Sequence, residues 1–151
     1  SNFDLYQLLN SHLIAFSRDH CHISLTKPKQ AININSYAKA FTLIVDKLID
    51  NSIKYNDKKI AHIEISLKQS DKGTTLIYSD DGPGVAESIQ EQIFDPFYTT
   101  CPGDADSTGL GLFVIYNLCK QVLDADIQLG PQPGFNLTID FHNPLDDSVS
   151  S

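Results

Sequence analysis

Three groups of residues in this chain have types and spacings that could do chemistry together. The first is Asp80, which ends an apolar, strand-like run (Thr74-Thr75-Leu76-Ile77-Tyr78) and is followed by Gly82 and Gly84. Period-2 alternation puts Leu76, Tyr78 and Asp80 on one face and Ile77 and Ser79 on the other. A carboxylate on that face is partly desolvated and needs a hydrogen-bond donor. The amino group of adenine could be that donor, whereas guanine presents a carbonyl at the same edge. Gly82 and Gly84 would let the backbone pass close beside a flat ligand, since neither carries a Cβ. Taken alone, Asp81-Gly82-Pro83-Gly84 reads more simply as a tight turn.

The second group lies on a helix expected from Ser36 to about Tyr55 and closed by Asn56-Asp57. Its apolar stripe is Phe41, Ile44, Val45, Leu48, Ser52 and Tyr55. At 100° per residue, Lys47, Asn51 and Lys54 line one margin of that stripe, while Asp46 and Asp50 point away. Such a margin can face a cleft, although a solvated polar edge has the same pattern. The third group is Ser107-Thr108-Gly109-Leu110-Gly111-Leu112, the start of a helix expected to reach about Val122. Helix starts present unpaired N–H groups and the positive end of a dipole, which suits phosphate. The side-chain oxygen of Asn51 is a hard ligand suited to Mg²⁺, which takes few protein ligands and keeps its phosphates and waters. Each signal is weak alone; their order along one chain is the stronger observation.

The elements that must position these groups can be read from the remaining pattern. Asp4 can cap a first helix with Leu5, Leu8, Leu9, His12, Leu13 and Phe16 at helical spacing, His12 being a satisfied core histidine. Short strands are expected at His22–Leu25 and Ala31–Ile34, around the turn Lys27-Pro28-Lys29. Ile63, Ile65 and Leu67 alternate with polar residues as a half-buried strand, and Asp71-Lys72-Gly73 turns the chain back into the strand ending at Asp80. A short helix at 86–93 and a Pro/Gly/Asp-rich connection at 95–108, long enough to be a lid, follow. The helix after Thr108 should bury Leu112, Ile115, Leu118, Cys119 and Val122. Strands at Ile127–Leu129 and Phe135–Phe141 complete the set.

With 151 residues, the chain is read as one domain over 1–143 with a frayed polar tail at 144–151. A net charge of −8 and a pI near 4.8 argue against nucleic acid or an anionic membrane as the main partner. No apolar run reaches the ~18 residues of a membrane span. Three irregularly spaced cysteines suit a reducing compartment, so a cytoplasmic location is expected.

The ordered set resembles the catalytic, ATP-binding domain of bacterial sensor histidine kinases, within the wider Bergerat-fold ATPase group. Leu48-Ile49-Asp50-Asn51-Ser52-Ile53-Lys54-Tyr55 is similar to the N box and Asp80-Asp81-Gly82-Pro83-Gly84 to the first G box. Residues Ile93 to Thr100 resemble the F box, and Thr108-Gly109-Leu110-Gly111-Leu112 the second G box. The resemblance implies an α/β two-layer sandwich, a mixed, mostly antiparallel sheet covered on one face by three α-helices. It also implies ATP and Mg²⁺ as ligands. Asn51 would hold Mg²⁺, Lys54 would reach phosphate, Tyr55 would flank the nucleotide and Asp80 would take the adenine amino group. Gly82 and Gly84 would border the base, and Thr108, Gly109, Leu110, Gly111 and Leu112 would close over the phosphates. The implied partners are a dimerising helical domain that carries the phosphorylated histidine and, indirectly, a response regulator. The isolated domain would be a monomer without direct membrane contact.

Two departures bear on chemistry. Lys47 stands four residues before Asn51, where histidine kinases commonly have asparagine and the related ATPases a water-activating glutamate. An ammonium has no acceptor lone pair, so autonomous ATP hydrolysis is not expected. In addition, no Lys or Arg occurs between Gly73 and Cys119, so the 95–108 connection brings no cation. Lys47 is a candidate replacement for that charge; a surface lysine with no role fits equally well. The rival readings are a nucleotide-binding signalling module without transfer, and an ATPase or serine kinase of the same fold.

Overall fold

Alternating burial in two neighbouring segments, β4 (Ala61–Ser70) and β5 (Gly73–Asp80), places the centre of the sheet. The computed structural model describes residues 2–15, 21–54, 59–71, 73–84, 108–130 and 134–141, with the backbone alone for residues 15 and 108–113. The expected helix at 86–93, the connection at 95–107, Tyr55, the F-box-like stretch and the tail lie outside the described residues. The two strands form the expected hairpin, with Ser70 opposite Gly73 and Ile63 opposite Asp80. Gly73 has φ 147°, a backbone setting that side chains rarely adopt.

The remaining strands of the main sheet are β2 (Cys21–Leu25), β6 (Ala125–Leu129) and β7 (Asn136–Phe141), in the order β2-β4-β5-β7-β6. Among the described residues only β2 and β4 are parallel; the other three pairs are antiparallel. Three helices, α1 (Leu5–Ala15), α2 (Ala38–Lys54) and α3 (Thr108–Gln121), cover one face. The sandwich implied by the sequence is thus the one observed.

Several local expectations change. The strands at 21–25 and 33–35 do not flank a common hairpin. Instead β3 (Asn33–Asn35) pairs antiparallel with β1 (Asn2–Asp4), a strand the sequence pattern did not suggest, with Phe3 opposite Ile34. Both are three residues long, too short for alternation to register; burial of Ile32 and Ile34 and the edge contact of Phe3 with Phe41 hold them in place. Asp4 caps α1 as expected, accepting from Gln7 N–H at 3.2 Å. His12 is satisfied, its Nε2 lying 2.8 Å from Asp46 Oδ1.

In α2 the stripe Phe41, Ile44, Val45, Leu48 and Ser52 is buried, joined by Ala40 and Ile49. Each fully buried Leu or Ile contributes about 1.5–3 kcal/mol, so this helix anchors the domain. In α3, Ile115 and Cys119 are buried, but Val122 is 39% exposed and Leu123 takes the inner seat. The helix has ended at Gln121, and the amides of Val122 and Leu123 both bond Leu118 O, which swings Leu123 inward. Burial pushes the Cys119 thiol up to about 12, as befits a core residue.

Candidate functional site

Asp80 sits at the end of the central strand, half-buried, in the position where a carboxylate needs donors. The protein itself supplies three. Ser52 Oγ donates to Oδ2 at 2.6 Å, while Gly82 N–H at 2.9 Å and Phe135 N–H at 3.2 Å both donate to Oδ1. The Gly82 contact is an Asx turn, in which an aspartate accepts from the amide two residues on. In the other direction, Asp80 N–H donates to Phe135 O at 2.9 Å, extending the β5–β7 ladder past its last register pair. A carboxylate offers about four acceptor positions. Among the described residues, three are used, and the one remaining is on Oδ2.

The adjacent carboxylate has a different task. Asp81 accepts from His62 N–H at 2.9 Å, faces His62 Nδ1 at 3.1 Å, and its own amide donates to His62 O, closing the end of β4.

Three residues that the sequence pattern left out of the site, or placed only in the core, help to build it. Ser52, expected as part of the apolar stripe, is 4% exposed and carries the hydroxyl that holds Asp80. A hydroxyl on the buried stripe, one residue beyond Asn51, requires a partner, and that requirement is the signal the sequence carries. Phe135 contributes its amide and an edge contact to the Tyr78 ring, centroids 6.2 Å apart. Gly134, with φ +78°, lies so close that a Cβ there would be 2.5 Å from Asp80 O.

The expected margin of α2 is present: Lys47 and Asn51 are half-buried and Lys54 is exposed. Asp46 turns to α1 and Asp50 to the surface, as expected. Nδ2 of Asn51 is buried with no hydrogen-bond partner among the described residues. A buried amide group with no partner leaves room for one, and which end of the amide faces it is a matter of assignment. Asn51 therefore fits a hard cation that arrives with its own phosphate oxygens. Gly84 has φ 76°, so glycine is needed there on backbone grounds. The Gly82 amide serves Asp80, a bond its backbone makes without need of a glycine. The helix expected near Ser107 begins at Thr108 and packs on α2. Thr108, Gly109, Leu110 and Gly111 form its first turn, where amides have no intrahelical partner.

Residues 37–147 match the sequence profile of the family described as histidine kinase-, DNA gyrase B-, and HSP90-like ATPases. The chain belongs to this family. Among curated proteins, it is 37% identical over 78 residues to the sensor protein RstB of Escherichia coli, covering 50% of this chain and 17% of that protein. It is 34% identical over 80 residues to the sensor histidine kinase CpxA of Escherichia coli, covering 51% of this chain and 17% of that protein. The chain thus spans a small part of the relatives it matches. Among solved structures, the catalytic domain of histidine kinase ThkA superimposes with TM-score 0.81 at 18% identity, covering 95% of each chain. The ATP-binding domain of PrrB from Mycobacterium tuberculosis gives TM-score 0.75 at 22% identity, covering 95% of this chain and 97% of that one. The resemblance drawn from the sequence motifs is borne out.

Proposed function

We propose that the chain is the ATP-binding catalytic domain of a sensor histidine kinase, which binds Mg-ATP and transfers the γ-phosphoryl group to a histidine in a separate helical domain. The observation that carries this reading is Asp80, fixed by three protein donors with one acceptor position left for the adenine amino group. Asn51 is the residue to hold Mg²⁺ through its side-chain oxygen. Bound there, the ion would neutralise phosphate charge, a large share of what phosphoryl transfer requires. Gly82 and Gly84 border the base and Tyr55 flanks it. The start of α3, from Thr108 to Leu112, faces the phosphates, and Lys54 reaches them from α2. The domain takes residues 1–143, with 144–151 as a tail, and works in the cytoplasm. Among the described residues no helix is long and apolar enough to cross a membrane.

The test mixes this chain with Mg-ATP and the helical phosphoacceptor domain of its parent protein, then assays acid-labile phosphate. Phosphohistidine is the expected product. Tight ATP binding without transfer would instead favour the signalling module, which the cation-free 95–108 connection supports, and steady phosphate release an ATPase.

Lys47 lies one turn from Asn51, and we propose that its ammonium offsets phosphate charge. A cation 4 Å from a phosphate is worth about 4 kcal/mol at an effective dielectric of about 20. Solvent screening at a half-exposed site leaves a fraction of that. Lys47→Ala is therefore expected to weaken ATP roughly tenfold while leaving adenosine within about twofold in a calorimetric titration. Equal losses for both ligands would remove this role.

A further inference from the structure

Tyr78 and Ser52 are among the most buried polar side chains of the described residues, at 0% and 4% exposure; Ser52 holds Asp80, and Tyr78 has been given no task so far. Their hydroxyls lie 2.5 Å apart, Tyr78 Oη is 3.0 Å from Leu48 O, and Ser52 Oγ is 2.6 Å from Asp80 Oδ2. Counting protons gives the direction of this chain. Asp80 as a carboxylate only accepts, so the single Ser52 proton goes to it. Ser52 must then accept from Tyr78, whose one proton is shared between Ser52 Oγ and Leu48 O.

Leu48 is the residue four before Ser52. A serine inside a helix normally turns its hydroxyl back to that carbonyl. Here Tyr78 occupies the Leu48 oxygen, and the Ser52 proton is directed across to the sheet instead.

We infer that Ser52, oriented by Tyr78, is a positioning residue that sets the base specificity of Asp80. The inference rests on the nucleotide reading above. With Oδ1 taken by two backbone amides and half of Oδ2 by Ser52, Asp80 can accept one further donor and no more. One donor is what the amino group of adenine offers. Guanine would bring a pair, N1–H and its 2-amino group, which needs an acceptor on each oxygen; Oδ1 has none left. Ser52 thus holds the carboxylate in the rotation that aims its last acceptor at a single amino group.

The experiment titrates this chain calorimetrically with ATP and with purine riboside triphosphate, which lacks the 6-amino group. The wild-type chain is expected to prefer ATP by at least about tenfold, the worth of a hydrogen bond to a charged group. Ser52→Ala should lose roughly tenfold in ATP affinity and less than about threefold for the analogue, collapsing the preference. Tyr78→Phe should do much the same, because it frees the Leu48 carbonyl for Ser52. The double variant should be little worse than either single one, since both break the same chain. A role in stability alone would lower both ligands together. An unchanged ATP preference in Ser52→Ala, or in Tyr78→Phe if the alanine variant does not fold, overturns the proposal and leaves the nucleotide reading intact. Failure of the wild-type chain to bind ATP overturns both.

Discussion

Replacing Asp80 by asparagine is expected to raise the dissociation constant for ATP by about a hundredfold or more, with the fold retained. An amide offers one oxygen and one NH₂ where three protein donors and the ligand's amino group converge. If the oxygen stands in for Oδ1, it still takes the Gly82 and Phe135 amides. The NH₂ then faces the Ser52 hydroxyl and the base, donor against donor. Ser52 can escape by turning its proton to Tyr78 Oη, which still donates to Leu48 O, and accepting from the NH₂, but the ligand cannot. The reverse orientation would set the NH₂ against two backbone amides, and each unsatisfied buried donor costs about 1–3 kcal/mol. The first orientation therefore wins, and the damage falls on binding more than on stability. Calorimetry with ATP, beside a circular-dichroism melt, reads both quantities. Binding within about threefold of wild type would mean that Asp80 does not contact the base.

Gly134→Ala should have the largest effect on stability. The added Cβ would stand 2.5 Å from Asp80 O, on a backbone with φ +78°. The left-handed setting alone costs a non-glycine residue about 1–2 kcal/mol. The obstruction is a carbonyl in the central strand, which cannot move aside as a side-chain tip would. Relief requires β5 and the start of β7 to part, with loss of the Phe135 amide from Asp80. A total cost of about 3 kcal/mol or more, at roughly 2–4 °C per kcal/mol for a domain of this size, lowers Tm by about 10 °C. ATP binding should weaken as well. A melt within about 2 °C of wild type would show that the 134–135 backbone is not tied to Asp80 in solution.

The sequence disclosed elements with a strong period and concealed those defined by distant partners. The α2 stripe, the β4 alternation and the hairpin into β5 follow from local spacing, and Asp80 inherits its face from Leu76 and Tyr78. The β1–β3 pair has only three residues per strand, and β2 joins β4 in parallel rather than turning back on a neighbour. Nothing in residues 21–35 states that preference. The inner seat at the end of α3 passed from Val122 to Leu123 because the helix stops at Gln121, a matter of one amide. Asn51, Asp80 and the helix start at Thr108 were legible through their residue types. Ser52 looked like an ordinary core position, because the two oxygens that give it a purpose lie 26 and 28 residues away. Gly134 and Phe135 were hidden for the same reason: their partner is across the sheet.

The amide of Phe135 that steadies Asp80 comes 55 positions after it. A nascent polypeptide emerging from the ribosome therefore carries helix α2 and the whole β4–β5 hairpin long before it carries the far wall of the proposed purine pocket. During that interval the inner flank of β5 has no neighbour and the aspartate lacks one of its clasps. On the proposed reading a nucleotide finds its seat only when β7 threads between β5 and β6, so a translation product cut short before residue 135 would hold all four motifs and yet lack that seat.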